Sequence, residues 1–596
     1  MREMGVRLSG EGDEAEFRVF AHRKKEVSLV IKTSQGEKEY PMKAEEPHVY
    51  SLKLEGIKEG TLYKYHIDAE GPFPDPYTHY QPQGVHGFSQ VMHQNLYSWQ
   101  DQGWKGLAQE DLILMEIHVG TFSTRGDFAG VTEKLDHLVE LGITAVELMP
   151  VIQTPGRWNW GYDGANLFSV NCNYGTPEDL KALVDACHQR GMAVILDVVY
   201  NHFGPEGNYL PMYGPYLTEK HKTPWGEAVN YDDSFSEFTR RMVLDNIRYW
   251  IKDYHLDGFR LDAVHAIEDY SETHILQEIK DETEKLSKEL GRSIFVIAES
   301  DENDVKLITP PKKGGFGLDA VWMDDFHHSL HTVLTAEKQG YYIDYGPIEN
   351  LESVYKNFLY TGQHSRFWKK PRGTDAALYP GRQFVVAIQN HDQVGNRATG
   401  DRLTTLVDFA YLKAAAGLLF FAPYIPLLFM GEEYGEENPF LFFSDYGDEE
   451  LKKGVSEGRR KEFADFDWDE VPDPQDPATF YRSRLTPSSE WQEKNRHLFT
   501  FYKDLIRLRR EHPVLKNLDK FNVESKTEPA KKLVEILRWN QGKKLTGLFN
   551  LGSEDVEIQE SPSKELLSSA RAEYGGPGHK RGILQKGEAL IIEARL

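Results

Sequence analysis

Cysteine is nearly absent from this 596-residue chain: Cys172 and Cys187 are the only two. That is too few to staple a secreted protein of this length, and no CxxC or Cys/His spacing that would hold zinc is present. A reducing cytoplasm is the compartment this usage implies. Long apolar runs are missing too. The most hydrophobic stretch, AAAGLLFFAPYIPLLFM at 414–430, contains Pro423 and Pro426, which argues for a buried helix end followed by a buried strand rather than a membrane span. The amino-terminal MREMGVRLSGEGDE lacks the apolar core of a signal peptide. Excess positive charge is also lacking, with 69 Lys and Arg against 94 Asp and Glu and a formal net charge of −25. Such a field repels phosphate backbones and anionic lipid, so nucleic acid and membrane are poor partners, whereas a neutral, hydroxyl-rich ligand meets no penalty. There is no internal repeat and no low-complexity tract.

What is present is apolar material for several cores. At 40% hydrophobic and 12% aromatic residues, a chain this long divides into two to four domains. Three regimes follow one another, which we place at 1–100, 101–515 and 516–596. The first alternates in short pieces such as EFRVFAH, EVSLVIKT and LYKYHID, reading as a β-sandwich of about seven strands. The second alternates apolar runs of four to eight residues with amphipathic helical segments, the rhythm of buried parallel strands and crossover helices. Its strand candidates end near His118, Pro150 and Val199, lie around Arg260, end at Glu299, lie near Trp322, and end at Asn390 and Met430. Eight of them predict an α/β fold, a (β/α)8 TIM barrel, with long insertions after the third and sixth strands on its active face. The third regime returns to short strands, KLVEILRW, KLTGLFNL and ALIIEA, and reads as a small β domain.

Polar groups gather at the strand ends, where such a barrel holds its active site. The third strand runs into Asp197, Asn201 and His202, the fourth carries Arg260, Asp262 and then His265, the fifth ends at Glu299, and the seventh ends in Asn390, His391 and Asp392. Arg260 and Asp262 are two apart and share a face, so the guanidinium keeps Asp262 ionised as a nucleophile. Burial and a like charge raise Glu299 on the neighbouring strand, fitting it to donate a proton near neutral pH. Two carboxyls from adjacent strands suit retaining glycoside hydrolysis. Trp158, Trp160 and Tyr162, in GRWNWGYDG, are read as stacking on sugar faces, or, for the two tryptophans, as loop packing.

The set DVVYNH (197–202), GFRLDAVH (258–265), AES (298–300) and QNHD (389–392) resembles the four signature regions of the α-amylase superfamily of glycoside hydrolases. That resemblance implies Asp262 as nucleophile, Glu299 as general acid/base and Asp392 as the transition-state-stabilising carboxylate. It implies hydrogen bonds from Asn201, His202, Arg260 and His391 around the scissile sugar, and Tyr162 stacked upon it. The flanking text NHFGPEGNYL (201–210), AESDEND (298–304), DDFHH (324–328), NHDQVGNRATG (390–400) and LLFMGEEYGE (427–436) resembles, more narrowly, the maltooligosyltrehalose trehalohydrolase family. It implies cleavage of the α-1,4 bond next to the terminal trehalose unit of a maltooligosyl trehalose substrate, with no cofactor and no metal. It also implies a pathway link to a maltooligosyltrehalose synthase. On this reading Asp324, Asp325 and His328, with Gln393, Asn396 and Arg397, shape the subsites. One departure is Glu302, which stands where the family pattern has an apolar residue.

Several residues keep two readings. Asp197 is either a structural partner of Arg260 or a substrate ligand. His265 either reaches the leaving-group sugar or is a satisfied loop histidine. His327 and His328 invite a metal reading but lack a third ligand at fitting spacing. Cys172 and Cys187 read as free thiols. The competing functions are a glycogen-branching or general maltodextrin-acting enzyme with the same chemistry, and a non-catalytic glucan-binding scaffold. The scaffold reading conflicts with the presence of all three carboxylates.

Overall fold

Alternation of inward and outward side chains builds the first layer. In Leu62–Ile67 every second residue is buried, so one face of the strand lies on a core and the other meets solvent. The computed structural model describes residues 4–9, 13–93, 97–463, 471–559 and 563–594. Residues 1–3 and 10–12 of the stretch read for a signal peptide lie outside them. The amino-terminal sandwich pairs one sheet, ordered Gly5–Leu8, Glu14–Phe20, Val49–Glu55 and Lys43–Glu46, with a second ordered Gly36–Pro41, Val27–Thr33, Leu62–Ile67 and Glu70–Phe73. Ser89–Gln90 adds to the second sheet against Leu62–Ile67. Among the described residues nine strands therefore replace the seven or so expected. Lys43–Glu46 is exposed throughout and Ser89–Gln90 has two residues, so neither carries an alternating apolar pattern.

The eight expected strands close into a parallel barrel: Leu114–Ile117, Ala145–Leu148, Ala193–Val198, Gly258–Leu261, Phe295–Ala298, Ala320–Trp322, Phe384–Ala387 and Ile425–Phe429. Every residue in them is buried, which is why they read as continuous apolar runs. Local chemistry sets the helix limits. Thr176 and Asp179 cap Pro177–Gln189 reciprocally, and Leu135–Leu141 stops at left-handed Gly142, φ 100°. The apolar stretch divides as expected into the end of helix Phe409–Phe421 and the strand Ile425–Phe429. That helix is apolar on all sides because the barrel covers one side and a carboxy-terminal sheet the other, with Phe421 edge-on to Phe549. Among the described residues no helix is long and apolar enough to cross a membrane.

The carboxy-terminal sheet orders Val523–Glu528, Leu533–Asn540, Lys543–Asn550, Ala589–Ala594 and Ser563–Ser568, all antiparallel. Two insertions rise from the barrel mouth. After the third strand come the short helix Leu210–Tyr213 and a hairpin of Leu217–Thr223 with Gly226–Val229. After the sixth come helix Asp324–Thr335 and a loop reaching the seventh strand at Phe384. Cys172 and Cys187 are free thiols.

Candidate active site

Arg260 organises the mouth of the barrel. It lies on the fourth strand, in register with Asp197 on the third, and is completely buried. Its Nη1 donates to both oxygens of Asp197, at 3.0 and 2.8 Å, and to Asp262 Oδ1 at 2.7 Å. Its Nη2 lies 3.7 Å from Glu299 Oε2 and 3.8 Å from Asp392 Oδ2. Four carboxyl groups from four strands thus surround one guanidinium, which also sits 4.3 Å above the Trp322 ring. Burial opposes the Arg260 charge, but Asp197, Tyr162, Asp262 and Glu299 together hold it firmly protonated.

The same cation separates the two central carboxyls electrostatically. Burial would raise Asp262, but Arg260, the Asn201 amide and His202 outweigh it and hold the group below the ordinary carboxylate value. Asn201 Nδ2 donates to Asp262 Oδ2 at 2.9 Å and to its carbonyl at 2.7 Å, fixing the side chain. Glu299 is pushed up to about 7, by burial first and by Asp262 and Asp392 after it, against the pull of Arg260. Its Oε2 accepts the Ala263 N–H at 2.6 Å. Ala263 sits at φ 38°, a left-handed conformation that costs a non-glycine residue energy and here turns that N–H onto the acid. Asp392 is the most open of the four, its side chain 39% exposed. Asn390 caps the short helix His391–Gly395 through the Asp392 and Gln393 N–H groups and so aims Asp392 at the mouth.

Beneath them the surroundings of His391 favour its protonated form. Its Nδ1 meets Glu116 Oε1 at 2.5 Å. Its Nε2 meets the Tyr162 hydroxyl at 2.8 Å, which lies 2.6 Å from Asp197 Oδ2, so a doubly protonated ring satisfies both contacts when Tyr162 donates to Asp197. Burial opposes the charge, but Asp392 and then Glu116 raise His391 to about 9. A folded value above the ordinary one stabilises the fold fully below the ordinary histidine value of about 6.5, and this contribution is lost as pH rises through about 9. Tm measured from about pH 6.5 to about 9.5 should therefore fall, and Glu116→Gln should remove part of that fall. A flat Tm across the window would contradict this protonation.

The walls separate residues that read alike in sequence. Tyr162, half-buried, lies parallel to His391 at 5.1 Å. His202 contacts the Asn201 side-chain oxygen and the Tyr162 carbonyl. Asp197 is 3% exposed and committed to Arg260 and Tyr162, which favours its structural reading. His265 stands at the rim, 3.9 Å from Asp301 Oδ1. Asp324 faces the carboxyl cluster and accepts from Gln393 Nε2 at 3.1 Å; burial, then Glu299 and Asp392, push it up to about 8. Asn396 reaches Asp392 Oδ1 at 3.3 Å.

Other expected site residues are held elsewhere. Asp325 is fully buried, accepting from Tyr345 Oη, Asn303 Nδ2 and the Leu359 N–H. Arg397 makes two 2.8 Å bonds to Glu337. His328 lies against Tyr341, ring to ring at 4.6 Å, and its burial keeps it neutral. His327 spends its nitrogens on the Ile388 carbonyl and Tyr342 Oη. Trp160 is a packing residue, 4% exposed, stacked on Phe440 and bonded to the Leu441 carbonyl; a Cβ at Gly395 would lie 2.1 Å from its ring. Trp158 packs on Phe480. Glu302 pairs with Lys370 at 3.2 Å with both side chains about half exposed, so its charge stays in water.

Two contributors were not expected. Trp225, at the tip of the third-strand hairpin, is 49% exposed and lies 4.4 Å from His202 at an interplanar angle of 5°. Its only sequence signal is an aromatic in a TPWG turn. Glu116, under His391, was signalled by a carboxylate inside an otherwise apolar strand.

Residues 84–222 and 233–517 match the family described as alpha amylase, catalytic domain, and residues 3–79 match carbohydrate-binding module 48, the isoamylase N-terminal domain. The chain is 46% identical over 522 residues to the malto-oligosyltrehalose trehalohydrolase of Saccharolobus solfataricus, covering 87% of this chain and 89% of that protein. It is 44% identical over 505 residues to that of Arthrobacter ramosus, covering 84% and 87%. A crystal structure from Salmonella typhimurium superposes with a TM-score of 0.91 at 36% identity over the whole of both chains. The chain belongs to the alpha-amylase family and, within it, to the malto-oligosyltrehalose trehalohydrolases.

Proposed function

We propose that this protein hydrolyses the α-1,4-glucosidic bond next to the terminal trehalose unit of maltooligosyl trehalose, releasing trehalose and a maltooligosaccharide with retained anomeric configuration. The observation that carries the chemistry is the pair of carboxyls pushed in opposite directions around Arg260, one held ionised and the other able to keep a proton. Asp262 attacks the anomeric carbon as Glu299 gives its proton to the departing trehalose oxygen, so a glycosyl ester forms and the glycosidic C–O bond breaks. Glu299, now a carboxylate, takes a proton from water, and the resulting hydroxide equivalent displaces Asp262 to restore both groups. Asp392 stabilises the sugar as positive charge develops, while Arg260, buried beneath, keeps Asp262 ionised for the attack.

Around this centre, Tyr162, Asn201, His202 and His391 serve the sugar whose bond is broken, and Trp225 offers its free face beside His202. His265, Asp324, Gln393 and Asn396 serve the leaving-group side, where the proton donor must stand. We place the protein in the cytoplasm on its cysteine usage, in trehalose biosynthesis, and downstream of a maltooligosyltrehalose synthase. We set its domain limits near residues 100 and 515.

Maltotriosyl trehalose and maltopentaose supplied at equal concentration test the specificity. Release of free trehalose from the first, with kcat/KM at least ~10-fold above that for the second, is expected, a difference worth about 1.4 kcal/mol in transition-state binding. Equal cleavage of both, or branched products, would move the protein to a general maltodextrin-acting or branching activity.

A further inference from the structure

The amino-terminal sandwich is braced against one particular part of the active-site rim. The insertion after the third strand ends in a two-stranded hairpin with its own separate sheet. Such a hairpin is marginal by itself, so its place is set by what it packs against. Its tip carries Trp225 parallel to His202, and His202 contacts Asn201, the residue that holds Asp262.

The other side of the insertion rests on the sandwich at three points. Phe20 lies edge-on to Tyr216 of the insertion at 5.9 Å, and ring on ring at 3.7 Å with Phe238, in the first turn of the crossover helix Ser236–Asp253 that follows it. Tyr216 takes part in the hairpin's base, its carbonyl accepting the Asn230 N–H at 2.9 Å. The His22 N–H donates to the Tyr213 carbonyl at 2.6 Å, and the Tyr213 hydroxyl donates to the Pro74 carbonyl at 2.7 Å. The approach is close enough that a Cβ at Gly214 would fall 2.5 Å from Phe20.

The third point is His86, whose Nδ1 meets Tyr209 Oη at 2.7 Å and whose Nε2 meets Glu206 Oε1 at 3.0 Å. Glu206 in turn accepts the Gly447 N–H at 2.8 Å, tying in the loop after the eighth strand. Among the described residues no large aromatic side chain of the sandwich is well exposed.

We infer that the sandwich is a positioning element of the catalytic rim, with Phe20 as the positioning residue that sets the Trp225 hairpin against His202. This rests on the rim being the substrate-binding wall proposed above. Because Asp262 keeps its own bonds to Arg260 and Asn201, displacing the wall weakens binding of ground state and transition state together, which raises KM and spares kcat.

Phe20→Ala tests this beside Phe17→Ala. Phe17 is the same residue type on the same strand, equally buried but facing Tyr63 inside the sandwich. Phe20→Ala should raise KM at least ~10-fold with kcat within about threefold, and Phe20→Leu should recover much of the loss. Phe17→Ala should lower Tm as much or more with KM unchanged. Should Phe20→Ala fail to fold, Tyr213→Phe, which removes only the hydroxyl's bonds to the Pro74 and Phe73 carbonyls, should raise KM about two- to threefold. Wild-type KM in Phe20→Ala or its substitute, or equal KM shifts in Phe17→Ala and Phe20→Ala, would overturn the inference. If the wild-type protein releases no trehalose, the functional reading fails separately, and the same KM ratios are taken on maltopentaose.

Discussion

Asp262→Asn should lower kcat by at least ~10³-fold on maltooligosyl trehalose while leaving the fold intact. The amide has the shape of the carboxylate but not its nucleophilic oxygen, so the glycosyl ester cannot form. The fold survives because Arg260 keeps both bonds to Asp197, leaving no buried guanidinium without a partner. KM should change little, since Tyr162, His202, Asp392 and the leaving-group side are untouched. Steady-state kinetics with a thermal melt of the same sample checks both parts. Near-normal kcat would remove Asp262 from the role of nucleophile.

Glu299→Gln should cost at least ~10³-fold on the same substrate, but for a different reason that can be separated experimentally. Gln cannot protonate the departing trehalose oxygen, so the loss depends on how badly the leaving group needs a proton. α-Glucosyl fluoride, whose fluoride leaves without one, should lose much less in the bond-breaking step. In the wild-type protein the acid form of Glu299 is the active one. With the group at about 7, kcat/KM should fall as pH rises through that value, and should also fall at low pH as Asp262 is protonated. The Gln variant has no proton to lose, so the residual activity should lack the limb near pH 7. A Gln variant that kept this limb would assign it to another group, with Asp197, pushed up to about 7 by burial, and Asp324, pushed up to about 8, the alternatives.

Much of the barrel was legible because physics writes it directly into the text. Strands covered on both faces are largely apolar, so FVIA and FVVA stood out. The polar residues that interrupt them at their carboxy-terminal ends were those that converge on Arg260. Where sequence reading fell short, the missing information was tertiary. Asp324 and Asp325 are adjacent in sequence, yet successive helix positions point about 100° apart, so Asp324 faces the cleft and Asp325 turns into a buried knot with Tyr345 and Asn303. Arg397 lies five residues beyond Asp392, but Glu337, far away in the chain, claims its guanidinium. Trp225 carries no sequence mark of its role, because its neighbour His202 is brought to it by a hairpin whose position depends on Phe20 and Tyr213. The edge strand Lys43–Glu46 has no apolar residue except Ala44 and could not be read by periodicity.

The protonation states beneath the site also needed the structure. Glu116 and His391 are 275 residues apart, and only the fold brings Glu116 and Asp392 around the ring that they raise. This arrangement places His391, raised to about 9, below Asp392 and Asp197 as a second positive group beside Arg260.

Proton NMR of an early digest of maltotriosyl trehalose tests the central claim most directly, because one spectrum reports both the bond chosen and the chemistry used. Trehalose should appear together with maltotriose whose new reducing end is the α anomer before mutarotation sets in. A β anomer would contradict the glycosyl ester on Asp262, and glucose or maltose in place of trehalose would contradict the assigned bond.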